Sequence, residues 1–96
     1  MYGLITRLTA YPGRRDELAL LLMDPAVRKP GCHSHIVAHD LSDADVLWVT
    51  EAWVNQPTHQ SWSEDLRDSG VWRPIHGLIA KMDDSIQTRP LGGIGL

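Results

Sequence analysis

Residues 46–67 read VLWVTEAWVNQPTHQSWSEDLR, in which a strand pattern passes directly into a helix pattern. Residues 46–54 are β-branched or aromatic at most positions, which favours a strand. Successive side chains of a strand point to opposite faces, and here neither face is polar. One face would carry Val46, Trp48, Thr50, Ala52 and Val54, and the other Leu47, Val49, Glu51 and Trp53. We therefore expect helices to cover one face and a second copy of the chain, in a closed two-fold dimer, to cover the other.

The helix pattern follows the strand without a long loop. Asn55 suits the N-cap of a helix, and a proline two residues later is tolerated in the first turn. His59, Trp62 and Leu66 then recur at helical spacing on one face. We predict a helix that ends near Arg67 and places this face over the preceding strand.

The rest of the chain supplies the other elements of a small α+β fold. Alternation predicts strands over residues 2–10, 32–39 and 85–88, and helical spacing predicts helices over residues 14–23 and around Val71, Ile75, Leu78 and Met82. The order is the split βαβ arrangement, in which helices cover one face of a four-stranded antiparallel sheet. The Gly-rich apolar tail, residues 90–96, is expected to lie against another surface.

Composition limits the class of protein. The 96 residues predict a single domain over 1–96, and a domain this small has a thin margin of stability that self-association would widen. A net charge of −3 with scattered Lys and Arg predicts no nucleic-acid partner. No apolar run approaches the ~20 residues that span a bilayer. One cysteine and no signal-peptide pattern predict a cytoplasmic protein without membrane contact.

Glu51 is the charge that needs an explanation, because a carboxylate in an apolar strand is rare unless something pairs with it. Trp53 shares its strand face, and His59 follows on the helix that folds back over the strand. A Glu–His pair can act as a proton relay in which the carboxylate orients the imidazole. The alternative is that the two residues only satisfy each other at a strand-to-helix corner.

The remaining histidines give weaker signals. His33, His35 and His39 share one face of a predicted strand, but no Asp, Glu or Cys completes a metal site, so we expect no bound metal. Cys32 has no partner that marks it as a nucleophile and is expected to be a small buried hydrophobe. His76 follows Trp72 by one helical turn and either enters the same cavity as His59 or lies on a helix surface, the second being favoured.

Four tryptophans and no phenylalanine are an unusual balance. Trp48, Trp62 and Trp72 are individually expected in the core or at a dimer interface, but at least one of the four tryptophans should face a cavity.

Several segments together resemble the antibiotic biosynthesis monooxygenase family over nearly the whole chain. They are MYGLITRLTAYPGRRDELALLL, KPGCHSHIVAHDLSDADVLWVTEAW, the His59 helix and the ending TRPLGGIGL, with PGC, DAD and W-V-T-E-x-W in the family's order. The resemblance implies a ferredoxin-like fold and a dimeric α/β barrel. In that assembly two sheets meet face to face, and each subunit has one pocket between its sheet and helices.

The family includes oxygenases that oxidise polycyclic phenols, quinols or anthrones with molecular oxygen and without flavin, haem or metal. The resemblance implies that His59 is the base and Glu51 its orienting partner. Trp53, with Trp62 or Trp72, would form aromatic walls, and His76 is a further candidate for substrate contact. The predicted partners are a second copy of the chain, a small aromatic substrate and oxygen.

Two other functions stay open. The first is a non-catalytic dimer that holds an aromatic metabolite in the same cavity. The second is haem binding or degradation, since haem-degrading relatives combine a strand Asn, a helix Trp and a later His. Trp62 and His76 could stand for the last two, but Thr6 replaces the Asn and the Trp-to-His spacing is long, so this function ranks below the first two.

Overall fold

The computed structural model describes residues 1–25 and 29–95 and has the predicted α+β architecture. Its elements are β1 (Tyr2–Ala10), α1 (Arg15–Leu22), β2 (Cys32–His39), β3 (Val46–Trp53), α2 (Gln56–Asp68), α3 (Trp72–His76) and β4 (Ile79–Thr88). The four strands form one antiparallel sheet in the order β2-β3-β1-β4. The predicted four-stranded, ferredoxin-like fold is confirmed.

The start of α2 is fixed by the predicted cap. Asn55 has an extended backbone, with φ of −162°, and its side chain accepts a hydrogen bond from the Thr58 backbone N–H at 2.8 Å. This bond satisfies one of the N–H groups that a helix leaves free in its first turn. The helix therefore begins close to the end of β3, and it carries His59 back over the sheet.

The prediction was wrong at the second short helix and the last strand. Helix α3 ends at His76, Leu78 is buried beyond it, and Met82 lies within β4, which begins at Ile79 rather than at residue 85. The early part of β4 is held by β1, because the Asp83 carboxylate accepts a hydrogen bond from Thr9 Oγ1 at 2.6 Å. Such long-range partners do not show in the local pattern of β4.

Helices α1, α2 and α3 lie against the sheet face that carries Leu47 and Val49. The packed core lies beneath α1 and α3, where Leu18, Leu47 and Ile75 are at most 1% exposed. Helix α2 differs, since none of its residues is buried although it faces the sheet. The space below α2 is therefore not filled by side chains.

The centre of the opposite sheet face is left uncovered by residues 1–25 and 29–95, whereas Val46 and Ala52 near its two ends are buried. Its central row crosses all four strands through Ile36, Thr50, Ile5 and Ile86, which are register neighbours. Ile36 and Ile86 are 58% and 54% exposed. An apolar row of this kind is unfavourable in water.

The tail after β4 lies open in the single chain. The ring of Pro90 lies over Gly3, but Leu91 and Ile94 are almost fully exposed. Leu96, the last residue of the predicted apolar tail, lies outside the described residues. None of the helices in residues 1–25 and 29–95 has the length and apolar character needed to cross a bilayer.

Candidate active site

A cavity of about 300 Å³ lies between the sheet and α2. Leu4, Thr6 and Val49 contribute to its floor, and Trp62 and Leu66 contribute to its roof. Most of the lining is apolar, and the volume is at the lower end of the range for small-molecule sites. A small aromatic compound is the kind of ligand that such a space accepts.

Glu51 projects from β3 into the floor of this cavity and is only 7% exposed. The indole N–H of Trp53 donates a hydrogen bond to its Oε1 atom at 3.2 Å. Burial raises the pKa of Glu51, while the Trp53 hydrogen bond and the nearby Lys29 charge act in the opposite direction. The carboxylate is thus more basic than an exposed glutamate.

His35 lies opposite Glu51 in the β2–β3 ladder and also lines the cavity. Its Nε2 atom is 3.9 Å from Glu51 Oε1, which is longer than a hydrogen bond. Burial, followed by the Lys29 charge, lowers the pKa of His35 to about 4. At neutral pH the pair is therefore a neutral imidazole beside a carboxyl group and not a salt bridge.

His59 occupies the roof, among aromatic rings. Its ring centroid lies 5.1 Å from that of Trp53 in an edge-on arrangement, 5.5 Å from that of Tyr2 and 6.0 Å from that of Trp62. Burial lowers the pKa of His59, so the imidazole is neutral at pH 7 and has a free lone pair. A neutral imidazole in an apolar cavity can accept a proton from a bound hydroxyl group.

The predicted contact between Glu51 and His59 is replaced by another one. Both side chains line the same cavity, but no hydrogen bond or ion pair joins them in the described part of the chain. Trp53 contacts both, through its N–H on one side and its ring on the other. Glu51 instead accepts the Trp53 hydrogen bond and lies beside His35, so it does not orient the His59 ring directly.

Three of the four tryptophans lie at the cavity or next to it. Trp62 and Trp72 line the cavity. Trp53 is 0% exposed and does not line it; its ring packs against those of His59 and Trp62 and supports them. His76 is exposed outside the cavity, with its ring 5.8 Å from that of Trp72. Trp53 and His76 are therefore not placed to contact a ligand in this cavity.

The other sequence candidates lie apart from one another. His39 Nε2 is 2.9 Å from an Asp16 carboxylate oxygen at the exposed end of β2, and a register shift next to His33 interrupts the predicted common face. Burial raises the pKa of Cys32, which makes its thiol a poor nucleophile. Within residues 1–25 and 29–95, no three His, Cys, Asp or Glu side chains are grouped so that they could hold a metal ion.

Sequence reasoning missed the polar groups of the cavity other than Glu51 and His59. Thr6 Oγ1 and Ser85 Oγ lie 3.3 Å apart on neighbouring strands, and Ser63 and Arg67 continue the His59 stripe of α2 at four-residue spacing. That spacing was visible in the sequence, since residues four apart share a helix face. The Thr6–Ser85 contact depends on the β1–β4 register and had no local signal.

The sequence also matches a known protein family. The family model described as antibiotic biosynthesis monooxygenase matches residues 1–65. The chain belongs to the antibiotic biosynthesis monooxygenase family. No curated protein matches the sequence.

Solved structures extend the likeness over the remaining residues. A Chloroflexus aurantiacus J-10-fl protein that carries the family's name is 37% identical, with a TM-score of 0.86 over 96% of this chain and 94% of that one. A Deinococcus radiodurans protein of the same name is 19% identical, with a TM-score of 0.75 over 98% of this chain and 96% of that one. The second likeness concerns the fold alone.

In this member of the antibiotic biosynthesis monooxygenase family, the cavity combines a proton acceptor with apolar walls. The haem alternative needs Trp62 and His76 in one site. Trp62 lines the cavity, but His76 lies outside it, so the structure separates these two residues. Binding a flat hydroxylated ring against Trp62 and deprotonating it at His59 is the chemistry that these residues support.

Proposed function

We propose that this protein is a cofactor-independent monooxygenase that oxidises a small aromatic phenol, quinol or anthrone with molecular oxygen. The observation that carries the proposal is the neutral His59 imidazole, which lines an apolar cavity next to Trp62. A half-buried base in such a place meets a bound hydroxyl group with less competition from bulk water than an exposed histidine does.

In the proposed reaction, His59 takes the proton of the substrate hydroxyl. The resulting phenolate or enolate is electron-rich and passes an electron to oxygen, after which the two radicals combine at a ring carbon. One oxygen atom stays on the substrate, which loses two hydrogens, and the other leaves as water. An anthrone becomes an anthraquinone in this way, with the substrate as the only reductant. The protein's part is to bind, deprotonate and exclude water.

Glu51 has a different role in this proposal from the one expected from the sequence. Because it contacts His35 and Trp53, it acts from the floor of the cavity rather than through His59. Its raised pKa suits a group that accepts a hydrogen bond from the substrate or receives a proton late in the reaction. Trp62 and Trp72 are the proposed aromatic walls.

The proposal includes a homodimer in which two sheets meet through their uncovered faces. The row Ile36, Thr50, Ile5 and Ile86 would then be buried between the copies. A two-fold arrangement pairs the same patch on each copy and closes the assembly. The cavities lie on the opposite, helix-covered faces. A cytoplasmic location belongs to the same proposal and is supported by the single cysteine.

Oxygen consumption tests the function. Parent protein, His59→Ala and His33→Ala are each mixed with a panel of quinols and anthrones, and the rate without protein is subtracted. His33 is exposed and lies outside the cavity, so its replacement is the matched control. We expect His59→Ala to lower kcat by about 100-fold or more, because general bases typically contribute at least this much, and His33→Ala to match the parent.

Two results would contradict the proposal. Equal turnover by His59→Ala and the parent would remove His59 as the base. Saturable quenching of tryptophan fluorescence by the same compounds, with no oxygen uptake above the protein-free rate, would show a binding protein in place of an enzyme.

A further inference from the structure

Arg67 lies where the cavity meets the protein surface. It is the last member of a polar stripe on α2, His59, Ser63 and Arg67, whose members are four residues apart and all line the cavity. Two further hollows lie on the outside of the helices, and Arg67 lines both: it shares one with Arg73 and the other with Glu64, His59 and Ser63. A residue that borders both the interior and these outer hollows marks the mouth of the cavity.

The guanidinium of Arg67 differs from those of the structural arginines. Arg7 forms an ion pair with Asp83 at 2.9 Å, Arg14 forms one with Glu17 at 2.6 Å, and Arg15 donates to backbone carbonyls. No hydrogen bond or ion pair links Arg67 to any other residue in the described ranges 1–25 and 29–95. Its position in the last turn of α2 is favourable for a cation, but it leaves the N–H donors of Arg67 without a protein acceptor.

The charges along the cavity make its two ends different. Glu51 lies on the floor, and the imidazoles of His35 and His59 are neutral at pH 7 because burial lowers the pKa of each. Lys29 acts on Glu51 and His35 from outside the cavity lining, so a ligand carboxylate at the floor would meet the carboxyl group of Glu51. At the mouth, Arg67 offers a planar set of donors that matches a carboxylate. An anionic ligand would orient with its charge at the mouth.

The distance between His59 and Arg67 along α2 sets the length of a ligand that contacts both residues. Eight residues separate His59 from Arg67, which corresponds to about 12 Å along the axis of α2. A hydroxyl group near His59 and a carboxylate near Arg67 would therefore sit at opposite ends of a molecule of about two fused rings. The indoles of Trp62 and Trp72 would contact the rings between these ends.

We propose that Arg67 selects an aromatic acid, namely a fused-ring phenol whose carboxylate lies at the end remote from the reacting hydroxyl. The inference rests on the proposed function in one respect, that the cavity is the site where the phenol binds. It adds the charge of the substrate and the residue that recognises it. The protein carries a net charge of −3, so a preference for an anion needs a local cation of this kind.

Calorimetric titration with a matched ligand pair tests this inference. The probes are 6-hydroxy-2-naphthoate and 2-naphthol, which share the ring system and the hydroxyl group and differ in the carboxylate. We expect the parent to bind the acid about tenfold or more tightly than the neutral compound, as a hydrogen-bonded charge pair allows. Arg67→Gln should reduce the preference to about twofold or less.

Arg89→Gln is the control, because it removes the same charge from an exposed position that borders none of the three hollows. It should keep the preference of the parent. The inference is overturned if the parent binds both probes equally, if it binds neither, or if Arg67→Gln and Arg89→Gln behave alike.

Oxygen uptake separates this inference from the proposed function. An Arg67-dependent preference for the acid, with no oxidation of any phenolic acid or quinol, would leave the inference standing and remove the monooxygenase. Oxidation of neutral quinols that depends on His59, without any preference for the acid, would support the monooxygenase and remove the inference about Arg67.

Discussion

Two tryptophans of β3 each donate an indole N–H to a carboxylate, which allows a matched comparison. Trp53 donates to the buried Glu51 at 3.2 Å. Trp53→Phe removes this donor, so we expect the pKa of Glu51 to rise further above its ordinary value. The free energy of unfolding should fall by about 1–3 kcal/mol, since a buried acceptor loses its partner. An NMR titration of the Glu51 carboxyl carbon and urea unfolding measure the two effects.

Trp48→Phe is the control for this substitution. Trp48 donates to Asp40 Oδ1 at 2.8 Å, and this bond is the main reason why the pKa of Asp40 lies below its ordinary value. The control should raise the pKa of Asp40 and leave that of Glu51 where it is in the parent. If Trp53→Phe leaves the pKa of Glu51 unchanged, the indole hydrogen bond does not act on the cavity carboxylate.

His35 makes stability depend on pH in a defined window. Its pKa is lowered from 6.5 to about 4 in the folded chain, so the unfolded chain binds more protons between these values. The stability that is present above pH 6.5 is therefore lost as the pH falls towards 4. The loss due to His35 is on the order of 2–3 kcal/mol, which is less than the full shift corresponds to, because solvent reaches and screens part of the ring.

Urea unfolding of the parent and of His35→Gln, at several pH values from 4 to 7, measures this effect. Most other titrating groups are shared and cancel in the difference between the two proteins. The advantage of the parent over the variant should shrink as the pH falls. If the free energies of unfolding of the two proteins change with pH in parallel, His35 titrates in the folded protein as it does in the unfolded chain.

The sequence predicted the residues on α2 better than the partner of Glu51. Helical spacing after the Asn55 cap determines which face of α2 meets the sheet, so His59 and Trp62 reach the cavity as expected. The partner of Glu51 depends on the hairpin register, which pairs His39 with Leu47 and then His35 with Glu51. Strand bounds alone do not give this pairing, because a shift of one residue reverses the faces.

At the level of elements, local patterns predicted most bounds and failed at β4. Residues 2–10 and 32–39 form strands with the expected limits, since their alternation is strong. The first half of β4 contains polar residues and is stabilised from a distance, by contacts of Asp83 with Arg7 and Thr9. Two irregularities in its register with β1 further obscure the alternation. A single-sequence pattern does not record such cross-strand contacts.

The loop before β2 is held against the first turn of α2, and two glycines show how closely. Gly31 and Gly70 both have positive φ, 81° and 78°. A Cβ atom on Gly31 would lie 2.5 Å from the Thr58 side chain, whereas a Cβ on Gly70 would meet nothing within 4 Å. Both Gly→Ala substitutions carry the backbone strain of about 1–2 kcal/mol, but only the first also forces two elements apart.

We therefore expect Gly31→Ala to lower the free energy of unfolding by more than Gly70→Ala does. Urea unfolding of the two variants measures the difference, and Gly70→Ala is the control for strain alone. Because Thr58 lies one residue before His59, Gly31→Ala should also weaken ligand binding in the cavity. Equal losses of stability would mean that the loop yields without moving α2.

On the scale of the whole molecule, helices cover one face of the sheet, and the described residues leave the centre of the other face uncovered. The helices cover the face that carries the cavity, and the row Ile36, Thr50, Ile5 and Ile86 crosses the other. The row is a property of the sheet as a whole, because its four side chains come from four different strands. The alternation within residues 46–54 predicted the position of only one member of this row, Thr50.

Charges placed at both ends of this row test the proposed dimer. Ile36 and Ile86 lie on the two outer strands and are more than half exposed, so Ile36→Lys with Ile86→Lys should fold as a single chain. In a two-fold interface each lysine would be buried without a partner, which is costly. We expect sedimentation equilibrium to give twice 10.7 kDa for the parent and 10.7 kDa for the double variant.

Leu41→Lys adds the same charge at a turn residue that is 99% exposed, away from the uncovered face, and it should keep the mass of the parent. A parent that sediments as a single chain at micromolar concentration would contradict the proposed interface, as would a double variant that keeps the doubled mass. Since a folded dimer is stabilised by mass action, the thermal midpoint of the parent should rise with protein concentration. The thermal midpoint of the double variant should not depend on protein concentration, because the stability of a monomer is independent of it.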